Sequence, residues 1–258
     1  MCKYKLKVLL TQIILILLFV FLWEIGSSNG VINSFIFSSP SKIIKTLFKL
    51  ISNGTIFIHL ITTFKEILIA FSLGVGISFL VSIIMYRFKF FADVIDPFLT
   101  MLNSLPKVAL GPIIIIWVGA NAKSIITMAL LINVIISIIT IYNGFINTDP
   151  LKVKLFNSLK ASRFQVITKL IIPANWPTII SALKVNISLT FIGVIMGEFL
   201  VSKRGIGYLI LYGTQVFDLN LVITGIFVLI ILSYFIYKVL IIIENKISKL
   251  NWDFYLCM

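Results

Sequence analysis

Six stretches of about twenty mostly apolar residues recur along this 258-residue chain, and they leave few folds open. They cover about 6–25, 64–85, 97–118, 124–145, 178–201 and 221–243. Crossing about 30 Å of hydrocarbon takes roughly 20 apolar residues in a helix, so each run is long enough to span. No water satisfies the backbone there, which makes helices the expected element. The reading is an all-α integral membrane protein with about six transmembrane helices. Charged residues make up only 12% of the chain and hydrophobic ones 60%, against about 25% charged in a soluble domain. An ordinary soluble enzyme and a disordered chain are both excluded.

The net charge of +13 has a membrane explanation: basic loops on the cytoplasmic side and anionic lipid nearby. No basic-aromatic module accompanies it, so no nucleic acid is expected. The first run follows Lys3, Lys5 and Lys7 but lacks a small-residue cleavage site, and it reads as a retained helix. Cys2 and Cys257 lie at opposite ends and suggest neither disulfide nor metal. The single histidine, His59, reads as a packing or helix-entry residue. Between the first two runs, Ser41 is a candidate N-cap, and Lys42, Lys45 and Lys49 alternate with apolar pairs, as in an amphipathic interfacial helix. The whole chain, 1–258, reads as one transmembrane domain: an N-terminal helix and start of an outer loop over about 1–40, then a core over 60–245 containing segment 149–177.

Lysine and arginine counts set the expected orientation. With the N-terminus inside, the inner segments hold Lys3, Lys5, Lys7, Arg87, Lys89, Lys152, Lys154, Lys160, Arg163, Lys169, Lys246 and Lys249, twelve in all. The outer segments hold Lys42, Lys45, Lys49, Lys123, Lys203 and Arg204, six in all. Both termini are expected in the cytoplasm of a multi-pass plasma-membrane protein.

The informative stretch is the inner loop between the fourth and fifth runs. Asp149 before Pro150 is an N-cap followed by proline at the first helical position. Leu151, Leu155, Leu159 and Ala161 lie near one face, with Lys152, Lys154 and Lys160 around the rest. Residues 162–172 form a second candidate helix before Pro173. Such a stripe suits a groove on another protein or the membrane surface, and the residues alone leave both open.

With Asp149-Pro150, Ser158-Leu159, Ala161-Ser162-Arg163 and Ile172-Pro173-Ala174 in hand, the chain resembles permeases of ATP-binding-cassette importers. The similarity is to the sulfonate, taurine and nitrate branch, which has the MetI-like fold. Three further stretches fit in order: Leu105–Leu110 through Trp117-Val118-Gly119, then Gly197-Glu198-Phe199-Leu200, then Gly205–Ile210. The resemblance covers about 40–250. It implies a permease forming half of a substrate pathway, a second permease copy, an ATPase subunit and an extracytoplasmic substrate-binding protein. It also implies that residues 150–162 couple to the ATPase, with Leu155, Phe156 and Leu159 as apolar anchors and Arg163 and the lysines setting register. The family's Glu-Ala-Ala triplet falls on Lys154-Leu155-Phe156 and its signature glycine on Lys160. One charge is thereby reversed and glycine's backbone freedom is lost, so the partner carries altered complementary charge or coupling is weak.

Catalytic chemistry is missing from the sequence. Gly119-Ala120-Asn121-Ala122-Lys123-Ser124 lacks the glycine before lysine that a phosphate loop needs, and Gly74-Val75-Gly76 reads as close helix packing. The chain is therefore not expected to be an enzyme, and ATP and magnesium belong to the partner ATPase. Polar groups at membrane depth are the pathway candidates: Asn103 and Lys107 flanking Pro106, Asn133, Asn186, and Glu198. Interhelical hydrogen bonding is the competing reading for the asparagines, and an ion pair with Lys203 or Arg204 for Glu198. An ion-coupled carrier would need an acid cluster or inverted repeat. A substrate-capture subunit of an energy-coupling-factor importer would not need the amphipathic loop. The substrate class implied is a small anion, such as a sulfonate or nitrate, or a vitamin precursor.

Overall fold

The computed structural model describes residues 2–256; Cys257 lies outside the described residues, as do the side chains of Cys2, Lys3, Lys5, Lys246 and Lys249. No strand occurs among the described residues. In order come α1 (Cys2–Ser28), α2 (Pro40–Ser52), α3 (Thr55–Arg87) and α4 (Lys89–Ser104). A 3-10 turn (Lys107–Leu110) leads to α5 (Gly111–Val118) and α6 (Ala122–Ile146). Then follow α7 (Pro150–Ser158), α8 (Arg163–Val166), a π turn (Ile167–Ile171) and α9 (Ile172–Ala174). The chain ends with α10 (Trp176–Val201), α11 (Ile206–Gln215) and α12 (Leu219–Leu256).

Helices α1, α3, α6, α10 and α12 are long and apolar enough to cross a membrane. The expected third span differs: α4 starts at Lys89, and it and the stretch Lys107–Val118 meet at 90°. Proline is the cause. Pro106 has no N–H to continue the ladder and drives Leu105 into an extended conformation, φ −69° and ψ 142°. Pro112 is accommodated in the first turn of α5, where no N–H is needed.

Three boundaries also depart from the sequence reading. Helix α3 begins at Thr55 rather than near residue 64. The cap of α2 is Ser39, with Pro40 opening the helix; Ser41 instead donates its hydroxyl to Glu24 Oε1 at 2.8 Å. The stretch between α10 and α12, which lies outside the six apolar runs, contains α11. There Ile206, Leu209, Ile210 and Gly213 recur at helical spacing and are buried.

The chain divides into two compact units. One comprises Met1–Ile61 and Arg204–Ile231. In it Ser27 Oγ donates to the Ser38 carbonyl at 3.2 Å, and Ser38 Oγ donates to Asn220 Oδ1 at 2.6 Å. Trp23 stacks on Phe227, centroids 6.2 Å apart. The Gly205 N–H donates to His59 Nδ1 at 3.0 Å, and the imidazole stacks on Tyr208, so His59 packs as expected. Gly205 has a φ of 110°, open to glycine alone at no steric cost.

The other unit comprises Thr62–Lys203 and Leu232–Met258. Its axis is the pair α6 and α10. A Cβ on Gly193 would lie 2.4 Å from the Ala129 backbone, and one on Gly197 would lie 2.9 Å from that of Ile125. Small residues four apart let two helices approach where lipid gives no hydrophobic drive. Helix α3 joins through Ser78 and Ser82, whose hydroxyls lie 3.2 Å from the α6 carbonyls of Val134 and Ile138. Gly74 leaves room for Asn133, which a Cβ would meet at 2.6 Å; Gly76 faces open space. One core cluster (Met85, Ala92, Leu99, Ile135, Ile138) joins α3, α4 and α6. A second, built on Phe145, Leu170, Ile171 and Ile179, supports the segment after α6.

Candidate functional site

Segment 149–175 is built from reciprocal caps. Asp149 accepts the Leu151 N–H at 2.9 Å, and Pro150 opens α7. At the other end the Ala161 N–H donates to the Phe156 carbonyl at 3.1 Å and the Lys160 N–H to that of Asn157 at 3.0 Å. That pair of bonds is a Schellman closure, which needs a left-handed residue between them. Lys160 supplies it with a φ of 58°. The turn is thus made without the glycine that the family resemblance places there. Ser162 then caps α8: it accepts the Gln165 N–H at 3.2 Å and donates its own N–H to Gln165 Oε1 at 2.7 Å.

Pro173, in the last turn, cannot donate to the Lys169 carbonyl, and the wide π turn before it relieves the crowding. Asn175 closes the segment. Its Nδ2 donates to Thr148 Oγ1 at 2.6 Å and to the Ile171 carbonyl at 2.9 Å, so the residues just before α7 and just after α9 are pinned together.

The side chains of this segment separate into two sets. Leu151, Leu155, Leu159 and Phe164 are 58–74% exposed. Lys152, Lys154, Ser162, Arg163 and Lys160 are exposed around them. Phe156 and Val153 turn the other way, with Ala161, onto the core of Phe145, Leu170 and Ile171. Phe156, expected among the outward anchors, therefore belongs to the support of α7. Phe164 extends the exposed apolar set; its place in the first turn of α8, two residues past the Ser162 cap, was the available signal. A cavity of about 260 Å³ opens beside α7, walled by Tyr86, Arg87, Val153, Asn157, Arg163 and Val166.

The candidate pathway residues do not converge. Lys107 Nζ donates to the Asn103 carbonyl at 3.1 Å and to its Oδ1 at 3.2 Å, satisfying the acceptor that the Pro106 break frees. Asn133 Nδ2 donates to Thr190 Oγ1 at 2.7 Å, and Asn186 Nδ2 to Ser137 Oγ at 2.8 Å. Both asparagines are buried and tie α6 to α10. Glu198, also wholly buried, accepts the Thr63 hydroxyl at 2.6 Å, and the Glu66 carboxyl is in hydrogen-bonding contact with it. With α3 starting at Thr55, Glu66 lies three turns inside the helix. Elsewhere Lys184 and Glu244 form an ion pair at 2.7 Å.

This fold has counterparts among known proteins. Residues 70–249 match the family described as binding-protein-dependent transport system inner membrane component. An aliphatic sulfonates transport permease of Bacillus subtilis is 27% identical over 231 residues, 88% of this chain and 83% of that one. A formylaminopyrimidine transport permease of Halalkalibacterium halodurans is 27% identical over 74% of this chain and 76% of its own. A riboflavin transport system permease of Chloroflexus aurantiacus is 23% identical over 93% and 88%. In fold, the chain resembles the inward-facing MetNI methionine transporter, with a TM-score of 0.65 and 14% identity over 77% of this chain and 96% of that one. With a family of permeases matched over most of its length, and with its run of apolar helices, the chain belongs to the inner-membrane components of binding-protein-dependent transport systems, as a MetI-like multi-pass permease and not an enzyme.

Proposed function

We propose that this permease forms half of the substrate pathway of an ATP-binding-cassette importer and that α7 with the start of α8 docks in a groove of a separate ATPase. The observation that carries the reading is the outward stripe of Leu151, Leu155, Leu159 and Phe164 on a segment whose other face is already packed. Leaving such side chains in water forgoes roughly 1.5–3 kcal/mol apiece, which a groove recovers. Lys152, Lys154, Lys160 and Arg163 surround the stripe, so the groove is acidic at its rim. Lys154, where the family has glutamate, fits that reversed charge.

ATP and magnesium bind to the ATPase, and its closure moves α6 and α10 through segment 149–175. A second permease copy faces this one, and an extracytoplasmic binding protein delivers the substrate. The names of the relatives support a small anion such as a sulfonate, or a vitamin precursor. With α7 cytoplasmic, α6 starts outside; Arg87 at the end of α3 and Lys89 at the start of α4 are cytoplasmic by their charge. The bent pair of α4 and α5 then crosses the membrane as one broken span. Six crossings put both termini in the cytoplasm.

The deciding experiment is co-purification of the ATPase with permease variants, alongside uptake. Leu155→Asp and Leu159→Asp are expected to release the ATPase and abolish uptake while the permease stays inserted; Lys152→Gln, which removes one rim charge and no apolar anchor, is expected to weaken docking much less. Retention of both ATPase and uptake in the two leucine variants would return the stripe to the membrane surface.

A further inference from the structure

The unit containing α1 and α2 holds two features that the transport reading does not use. The first is a cavity of about 450 Å³ walled by Phe19, Leu22, Trp23, Ile32, Phe37 and Ile223, all apolar in character. The second is the division of α2 into three faces. Ile43 is buried and Thr46, Leu47 and Leu50 half-buried on the inward face. Ile44, Phe48 and Ile51, at i, i+4 and i+7, form an exposed apolar stripe. Lys42, Lys45 and Lys49, at i, i+3 and i+7, form an exposed basic one beside it.

The two features are joined. Lys42 Nζ donates to Ser34 Oγ at 2.8 Å, and Ser34 lies on the same loop as the cavity residues Ile32 and Phe37. An ammonium thus sits on the loop that walls an apolar hole. Glu24, the nearby acid, accepts the Ser41 N–H at 3.0 Å and the Ser41 hydroxyl at 2.8 Å and attracts Lys42 only through space, with no salt bridge between them. The lysine stripe runs from Lys42 to Lys49, about 10 Å of helix.

We propose that this unit binds an anionic phospholipid, with one acyl chain in the cavity and the phosphate against Lys42, and that Lys45 and Lys49 hold neighbouring headgroups. A helix with one face on protein, one apolar and one basic fits the headgroup boundary, where ammonium groups reach phosphate while apolar side chains sink below. A water-borne protein partner that comes and goes would leave Ile44, Phe48 and Ile51 in water between visits. Lipid covers them at all times. A zwitterionic headgroup offers the same phosphate but brings its own cation, so the lysines favour an anionic one. The site is independent of the substrate and of ATPase docking.

The test uses the full-length permease in nanodiscs of phosphatidylcholine doped with brominated phosphatidylglycerol or, in parallel, brominated phosphatidylcholine. Quenching of Trp23, isolated by difference from Trp23→Phe, reads occupancy of the cavity, and native mass measurement counts retained lipid. Trp23 is expected to be quenched more by the brominated glycerol lipid. Lys42→Gln, Lys45→Gln and Lys49→Gln should each lower that preference, by up to about fivefold per lysine. Ile223→Phe, which narrows the cavity, should reduce retained lipid of either headgroup. Equal quenching by both lipids, or a triple glutamine variant with unchanged preference, overturns the proposal. So does a triple variant that loses only its association with the binding protein, which would assign the lysines to that partner.

Discussion

Ala161 donates its backbone N–H to the Phe156 carbonyl across Lys160, and the lysine between them is left-handed, with a φ of 58°. A side chain in that region costs roughly 1–2 kcal/mol that glycine avoids, partly offset by glycine's larger entropy loss. Lys160→Gly is therefore expected to stabilise the permease by about 0.5–1 kcal/mol, read as a higher unfolding midpoint in detergent. Lys160→Pro, with φ locked near −65°, should open the turn and lower the midpoint.

Phe156 and Leu155 are neighbours with opposite duties. Phe156→Ala removes contacts with the core of Phe145 and Ile171, and a half-buried aromatic lost there costs about 2–3 kcal/mol. The expected result is a permease of lower thermal stability. Leu155→Ala, at an exposed position, should leave the unfolding midpoint within about 0.5 kcal/mol of wild type while weakening ATPase co-purification. A midpoint equally lowered by both variants would contradict the assignment of faces.

Gly193 and Gly197 bring α10 against the backbone of α6. Gly193→Leu has no space to relax into, because the obstructing atom is the Ala129 main chain rather than a flexible side chain. Loss of folded, monodisperse protein on size exclusion is the expected outcome. Gly76→Ala, in open space on α3, is the control and should be silent.

Glu198 accepts the Thr63 hydroxyl with the Glu66 carboxyl beside it. Glu66→Gln keeps the shape and adds an N–H donor toward Glu198, so its unfolding midpoint should stay near wild type. Glu198→Leu removes the acceptor of the buried Thr63 hydroxyl and the polar neighbour of Glu66, at a cost of about 1–3 kcal/mol. Comparing the two unfolding midpoints separates a structural pair from a dispensable one.

Topology is checked by cysteine labelling in sealed cells. An impermeant reagent should reach probes placed at Asn29 and Asn121 and miss one at Ser158. Labelling at Ser158 would overturn the cytoplasmic placement of α7.

What the sequence made legible follows from the range of the forces involved. Apolar length and the Asp149-Pro150 start are local: five of the six runs become unbroken helices, α3 starting earlier than expected, and α7 opens at Pro150. The direction of Phe156 was not legible, because Leu155 and Phe156 are equally apolar and only the position of Phe145 and Leu170 decides which one turns inward. Helix α11 was hidden by glycines at 205, 207 and 213, which read as loop although Gly213 is packed against Val222. The bend at Leu105-Pro106 was signalled by the proline, but its angle is set by tertiary packing. The interhelical partners of Asn133 and Asn186 required knowing that α6 and α10 are adjacent.

The Asn175–Thr148 bond has a mechanical consequence. A chain excursion of 27 residues would ordinarily be compliant, bending at its joints before passing on any displacement. Here the joints are stiff: a Schellman turn and a capping box follow each other without a free residue, and the base is pinched shut at 2.6 Å. The excursion behaves as a lever arm fixed to two helices at once, so a push on its tip reaches α6 and α10 as a single torque rather than as two separate pulls.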